Sequence, residues 1–172
     1  MTCLLILLAA LQSTPGQPRA AAADRATLLS QADANRSLGL IYMKQGQFPE
    51  AAAALRAELA SHPGDLRARY TLATVLDLSG QQPLALQELA HVLQARPDDG
   101  DARYLMGKIL LANGSVNDAI DHLEIASRLI PAEANVHYQL GQAYQKAGRA
   151  ADAQREFERF QELKDKRRGG DR

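Results

Sequence analysis

The chain has 172 residues, 46% hydrophobic and only 5% aromatic, and its 20 Lys and Arg are balanced by 20 Asp and Glu to a net charge of zero. Zero net charge excludes the electrostatic footprint of a nucleic-acid binder and the basic surface of a membrane-associated protein. Cys3 is the single cysteine, which excludes an internal disulfide.

Residues 3–11, CLLILLAAL, form an uninterrupted apolar run, and a small-residue and proline stretch, QSTPGQPRAAAAD, follows it. The run is too short to span a bilayer but suits the hydrophobic region of a secretory signal. The expectation is a signal peptide and linker over 1–23, no membrane span after processing, and export to a bacterial periplasm or cell envelope. No Lys or Arg precedes the run, which leaves a cytoplasmic chain as the alternative.

From about residue 32 the chain repeats itself. YTLATVLDLSG at 70–80, YLMGKILLANG at 104–114 and YQLGQAYQKAG at 138–148 begin 34 residues apart, and Gly46, Gly80, Gly114 and Gly148 close the first helix of each unit at the same spacing. Unit starts at Ala32, Leu66, Gly100 and Ala134 align four copies, 32–65, 66–99, 100–133 and 134–165, without an insertion. A fixed period of this size marks a repeat architecture. Small residues at Gly39, Ala73, Gly107 and Gly141, and again at Ala51, Ala85, Ala119 and Ala153, predict the closest crossing of two helices within each unit. Leu38, Leu72, Met106 and Leu140, with Leu55, Leu89, Leu123 and Phe157, supply the apolar stripes. The glycines predict left-handed helix ends. Pro49 and Pro83 suit the first turn of a second helix. Pro63, Pro97 and Pro131 end the second helices, and Asp65, Asp98 and Asp99 are candidate caps for the helices that follow. The last helix is expected over about 150–165, followed by a charged, disordered tail over 166–172.

Catalytic and metal-binding patterns are missing. The four histidines His62, His91, His122 and His137 show no zinc-helix pairing, and Glu88 with His91 is one half of a di-iron pattern that needs two. No nucleophile elbow or phosphate loop occurs. The expectation is therefore no enzyme, no cofactor and no metal. Asn35-Arg36-Ser37 and Asn113-Gly114-Ser115 match the glycosylation triplet, a short and unspecific pattern.

The order of small residue, aromatic or apolar residue, glycine turn, alanine, apolar residue and terminal proline resembles the tetratricopeptide repeat over about 32–165. Two departures stand out. The family's tryptophan near the start of each first helix is replaced by Asn35, Arg69, Arg103 and His137, and Glu58 stands where a small apolar residue is expected. The resemblance implies an all-α fold, a right-handed α-solenoid of antiparallel helix pairs over 24–165. It also implies a concave face lined by Asp33, Arg36, Leu40, Met43 and Lys44, by Arg67, Tyr70, Thr74, Asp77 and Leu78, by Asp101, Tyr104, Lys108, Leu111 and Ala112, and by Asn135, Tyr138, Gln142, Gln145 and Lys146. That face is slightly basic and carries a ladder of Tyr70, Tyr104 and Tyr138. The family's chaperone-tail carboxylate clamp falls on Arg36, Leu40, Thr71, Asp101 and Leu105, of which Arg36 alone has suitable chemistry, so that clamp is rejected.

The function implied is a non-catalytic interaction module that takes a peptide segment or partner protein in the groove and does not bind nucleic acid. Its groove residues are Arg36, Lys44, Arg67, Tyr70, Thr74, Tyr104, Lys108, Tyr138, Gln142 and Lys146. The alternatives are a structural subunit of an envelope or secretion assembly, bound through the solenoid ends, and a regulatory repeat arm of an enzyme carried on another chain. Phe160 and Leu163 on the last helix, with no further unit in the sequence to cover them, point to a weak homodimer. In the monomeric alternative the stems of Arg159, Lys164 and Lys166 cover them.

Overall fold

The computed structural model describes residues 34–170. The expected signal segment, Cys3, the first unit start at Ala32 and Asp33 all lie outside the described residues. The described chain is all helical: α1 (34–44), α2 (Phe48–Ser61), α3 (Leu66–Leu78), α4 (Gln82–Ala95), α5 (Gly100–Ala112), α6 (Val116–Leu129), α7 (Ala134–Lys146) and α8 (Ala150–Gly170). The helices α3, α5 and α7 begin at the three unit starts read from the 34-residue period.

Each first helix ends the same way. Gly46, Gly80, Gly114 and Gly148 have φ of 74°, 78°, 82° and 75°, the left-handed region that residues with a Cβ rarely enter. One residue on, the N–H groups of Gln47, Gln81, Ser115 and Arg149 donate back to the carbonyls of Tyr42, Leu76, Leu110 and Tyr144 at 2.8–2.9 Å. This reversal satisfies carbonyls that the helix would otherwise leave open. Asp65, Asp99 and Glu133 cap α3, α5 and α7 by accepting from Arg67 N, Ala102 N and Asn135 N at 2.9, 3.0 and 3.3 Å. Asp98, an expected candidate, is not a cap; the side chain adjacent to the helix start, Asp99, reaches the open N–H groups first.

Within a unit the two helices meet where the small residues predict. Ala51, Ala85 and Ala119 are fully buried, and a Cβ added at Gly107 would lie 2.6 Å from Leu123 Cγ. Phe157 fills the corresponding space against Gly141, so its ring turns inward to its own unit as Leu123 does. Two cores share α5: one runs from Ala51 through Leu72 and Leu89 to Ile109, the other from Leu111 through Leu123 to Leu140 and Tyr144. Leu38 departs from its stripe and is 41% exposed. Leu140, at the same place in α7, packs into the core that holds Leu123 of the preceding unit, so this column faces backwards along the array. For α1 no preceding pair is among the described residues.

The positions of the missing tryptophan hold a repeated polar clasp. Arg69 donates to Glu88 at 2.7 Å and to the Pro63 carbonyl at 3.0 Å. Arg103 reaches His122 at 3.4 Å and the Pro97 carbonyl at 2.9 Å, and His137 reaches Glu156 at 2.7 Å and the Pro131 carbonyl at 3.1 Å. Each clasp ties the loop before a unit to that unit's second helix, using hydrogen bonds where the family uses an indole. Glu88 is therefore engaged with Arg69, while His91 is exposed.

First helices of neighbouring units touch one another, α3 with α5 and α5 with α7, whereas the second helices α2, α4, α6 and α8 do not. The array therefore curves with its first helices on the inside. The last helix runs past the expected end and takes in residues 166–170, which were expected as a tail. The cause is legible: Asp165 stands where Pro63, Pro97 and Pro131 stop the earlier second helices.

Candidate functional site

The inner face is built by α1, α3, α5 and α7, and it holds a pocket of about 420 Å³ lined by Arg36, Leu40, Arg67, Tyr70, Thr71, Arg96, Asp99 and Asp101. It draws on three successive units. Four of the five positions that correspond to the family's carboxylate clamp, Arg36, Leu40, Thr71 and Asp101, line it; the fifth, Leu105, is buried in the core. Location is shared with that clamp, but the chemistry differs.

Two of its three arginines are tethered. Arg36 donates to Asp65 at 2.9 Å, and Arg96 lies 3.1 Å from Asp99. Burial pushes the Asp65 carboxyl up, but bonds from Ala68 N, Arg36 and Arg67 N together hold it below the usual carboxylate range, so it accepts as an anion. Arg67 and Asp101, both exposed, make no ion pair among the described residues. The pocket thus offers one uncommitted cation and one uncommitted anion beside an aromatic ring.

The tyrosine ladder is not uniform. Tyr70 and Tyr104 are half-buried and pack against the two cores. Burial raises both hydroxyls, and the charges of Asp101 and Asp99 raise Tyr70 further, as Glu133 does Tyr104. Both remain neutral donors. Tyr138 is more open, at 38% exposure, with its ring 5.1 Å from Phe160 and 6.0 Å from Phe157 and its hydroxyl accepting from Gln142 at 3.1 Å.

The remaining expected groove residues divide between groove and scaffold. Lys108 pairs with Asp77 at 3.0 Å and Lys146 donates to the Leu111 carbonyl at 3.5 Å, so both link adjacent first helices. Thr74 donates to the Tyr70 carbonyl in its own helix at 3.1 Å. Lys44 is exposed on α1. Leu111 does not face the groove: it is 3% exposed, because its column points at the next unit's first helix, as Asp77 points at Lys108. With Arg36 and Lys108 paired, the expected basic bias of the groove is largely compensated. Phe160 turns toward Tyr138 of its own unit, and Leu163 is half-buried. Sequence reasoning passed over Arg96, which reaches the pocket from the end of α4.

Four models of the tetratricopeptide repeat match this chain, over residues 14–65, 42–109, 107–148 and 134–167. The chain belongs to the tetratricopeptide repeat family. Among solved structures, the array is similar to a crystal structure of MamA, with 21% identity, 80% of this chain and 81% of that chain covered, and a TM-score of 0.74. It is similar to MamA from Desulfovibrio magneticus RS-1, with 25% identity, 78% and 76% covered, and a TM-score of 0.72. MamA AMB-1 aligns with 29% identity, 77% and 78% covered, and a TM-score of 0.65. No curated protein matches the sequence. As a tetratricopeptide array of this fold, the chain is a protein–protein interaction module. No helix among the described residues is long and apolar enough to cross a membrane.

Proposed function

We propose that this array binds an extended segment of a partner protein along its concave face, centred on the 420 Å³ pocket between α1, α3 and the α4–α5 corner. The observation that carries this reading is the pairing of vacancy with uncommitted polarity. Arg67 and Asp101 carry opposite charges, line the same pocket and have no ion-pair partner among the described residues, while Tyr70 and Leu40 supply apolar surface beside them. An extended backbone presents alternating polar and apolar groups at a spacing such a surface can read. The second helices back the groove and reach it only at their ends, as Arg96 does, and a groove formed by three units recognises a segment rather than a point ligand. We also infer that the mature protein is exported, from the apolar run at 3–11.

The reading is tested by affinity capture from native extract with wild type, with Arg67→Glu plus Asp101→Lys, and with Gln87→Glu plus Gln94→Glu on exposed positions of α4. Loss of the captured protein in the groove variant and its retention in the α4 variant support the groove. The reverse pattern contradicts it.

A further inference from the structure

One corner of the unit, between the start of its first helix and the end of its second, opens into a pocket three times. Arg67 with Arg96 and Asp99, Asp101 with Ile130 and Glu133, and Asn135 with Lys164 and Arg167 are the same positions at 34-residue intervals. In the first two corners the last residue is an acid, because it must cap the next unit's helix. In the third it is Arg167, part of the extension of α8 that exists because Asp165 replaces the terminating proline. The capping acid of the first two corners is thereby replaced by a cation at the C-terminal end of the array.

This last corner is a pocket of about 340 Å³ lined by Ala134, Asn135, Phe160, Lys164, Arg167 and Arg168. Among the described residues three cations line it and no acid does. Lys164 Nζ lies 5.1 Å from the Phe160 ring centre, and the Tyr138 ring centre lies 5.1 Å from the same ring. Lys164, Arg167 and Arg168 make no ion pair among the described residues. Among the described residues, the acids nearest to these cations and to Asn135 in sequence have other partners: Glu162 with Arg159 at 3.0 Å, Asp165 with Gln161 at 3.2 Å, and Glu133 with Asn135 Nδ2 at 3.0 Å.

We propose that this basic, aromatic-floored cleft between the start of α7 and the end of α8 binds an acidic peptide segment. Lys164 and Arg168 are one helical turn apart, a rise of about 6 Å. Carboxylates on alternate residues of an extended strand are spaced by roughly 6.5–7 Å, which matches that turn. Arg167 and Arg168 can each take a carboxylate through two parallel N–H bonds. Phe160, one turn before Lys164, takes an apolar side chain flanking the acids. A lone small anion uses one cation and leaves the ring idle, so the geometry favours a peptide. The proposal goes beyond the groove reading, since it concerns the opposite end of the array and fixes the charge of its ligand.

The probe is a fluorescein-labelled nonapeptide with one Phe and alternate Glu residues, compared by anisotropy with its Gln counterpart. The Glu peptide should bind about tenfold or more tightly than the Gln peptide, and the difference should shrink with added salt. Lys164→Gln, Arg167→Gln and Arg168→Gln together should abolish the difference, and Arg167→Gln alone should reduce it, with helix content by circular dichroism unchanged in both. Arg67→Glu with Asp101→Lys should leave it intact. Equal binding of the two peptides, or binding unaffected by the α8 substitutions, overturns the proposal. Loss of binding in the Arg67 and Asp101 variant alone assigns the peptide to the central groove and also overturns it. Attachment to phosphatidylserine vesicles without peptide binding overturns it in favour of a lipid surface.

Discussion

Replacing Glu58 by valine should make the protein more stable. The Glu58 side chain stands at a position that holds Val92 and Ala126 in the next two units, and it is buried to 1% exposure. Among the described residues its Oε2 has no hydrogen-bond partner, and its Oε1 lies 3.3 Å from His62 Nδ1 without hydrogen-bond geometry. A buried acceptor left unsatisfied costs about 1–3 kcal/mol. The contact with His62, which is 29% exposed, returns at most about 1 kcal/mol. Glu58→Val removes both and restores the column's apolar character, for a net gain of about 1–2 kcal/mol. For a chain of this size that is a rise in Tm of roughly 2–8 °C. Thermal and urea denaturation at neutral pH, with Glu58→Gln as a control of similar shape that keeps a polar group buried, would measure it. A Tm for Glu58→Val at or below that of wild type would refute the reasoning, because it would show that the carboxylate has the partners the geometry denies it.

Ala119→Leu should lower stability by about 1–3 kcal/mol, since Ala119 is fully buried and its carbonyl already lies 3.2 Å from where a Cβ on Gly107 would stand; an unchanged urea midpoint would contradict the helix crossing. Burial, followed by the neighbouring Arg103 charge, lowers the His122 pKa below its ordinary value of 6.5, so the fold favours the neutral ring. The unfolded chain then binds the proton more readily, and stability is complete above about pH 6.5 and declines as pH falls through that value toward the folded pKa. The urea midpoint should fall between about pH 7.5 and 5.5, and His122→Gln should flatten that slope. Protein taken from its native compartment should begin between Ala10 and Asp24; an intact Met1 would remove the export reading.

The unit boundaries were legible because the period is written in residues that have one physical use each, the turn glycines, the crossing alanines and the terminating prolines. The same logic, followed to the last unit, explains the longer α8, for Asp165 breaks the proline column. The clasps of Arg69, Arg103 and His137 were not legible, because a polar residue at an expected tryptophan reads as a gap until its partner 19 residues on is seen across the unit. The concave face was drawn from the family resemblance, and Arg36, Arg67 and Tyr70 from it line one pocket. Leu111, drawn from the same resemblance, is buried instead, because its column points at the next unit's first helix, as Asp77 does at Lys108. The pockets themselves depend on residues from the ends of second helices, Arg96 and Lys164, which no pattern within the first helices indicates.

The claim that the concave face is the binding surface is tested most directly by photo-crosslinking in native extract, with benzoylphenylalanine placed singly at Leu40, at Arg67 and, on the outer side of α4, at Gln87. The account predicts one partner protein joined through both Leu40 and Arg67 and absent at Gln87. An adduct formed through Gln87, with both groove positions silent, would contradict it.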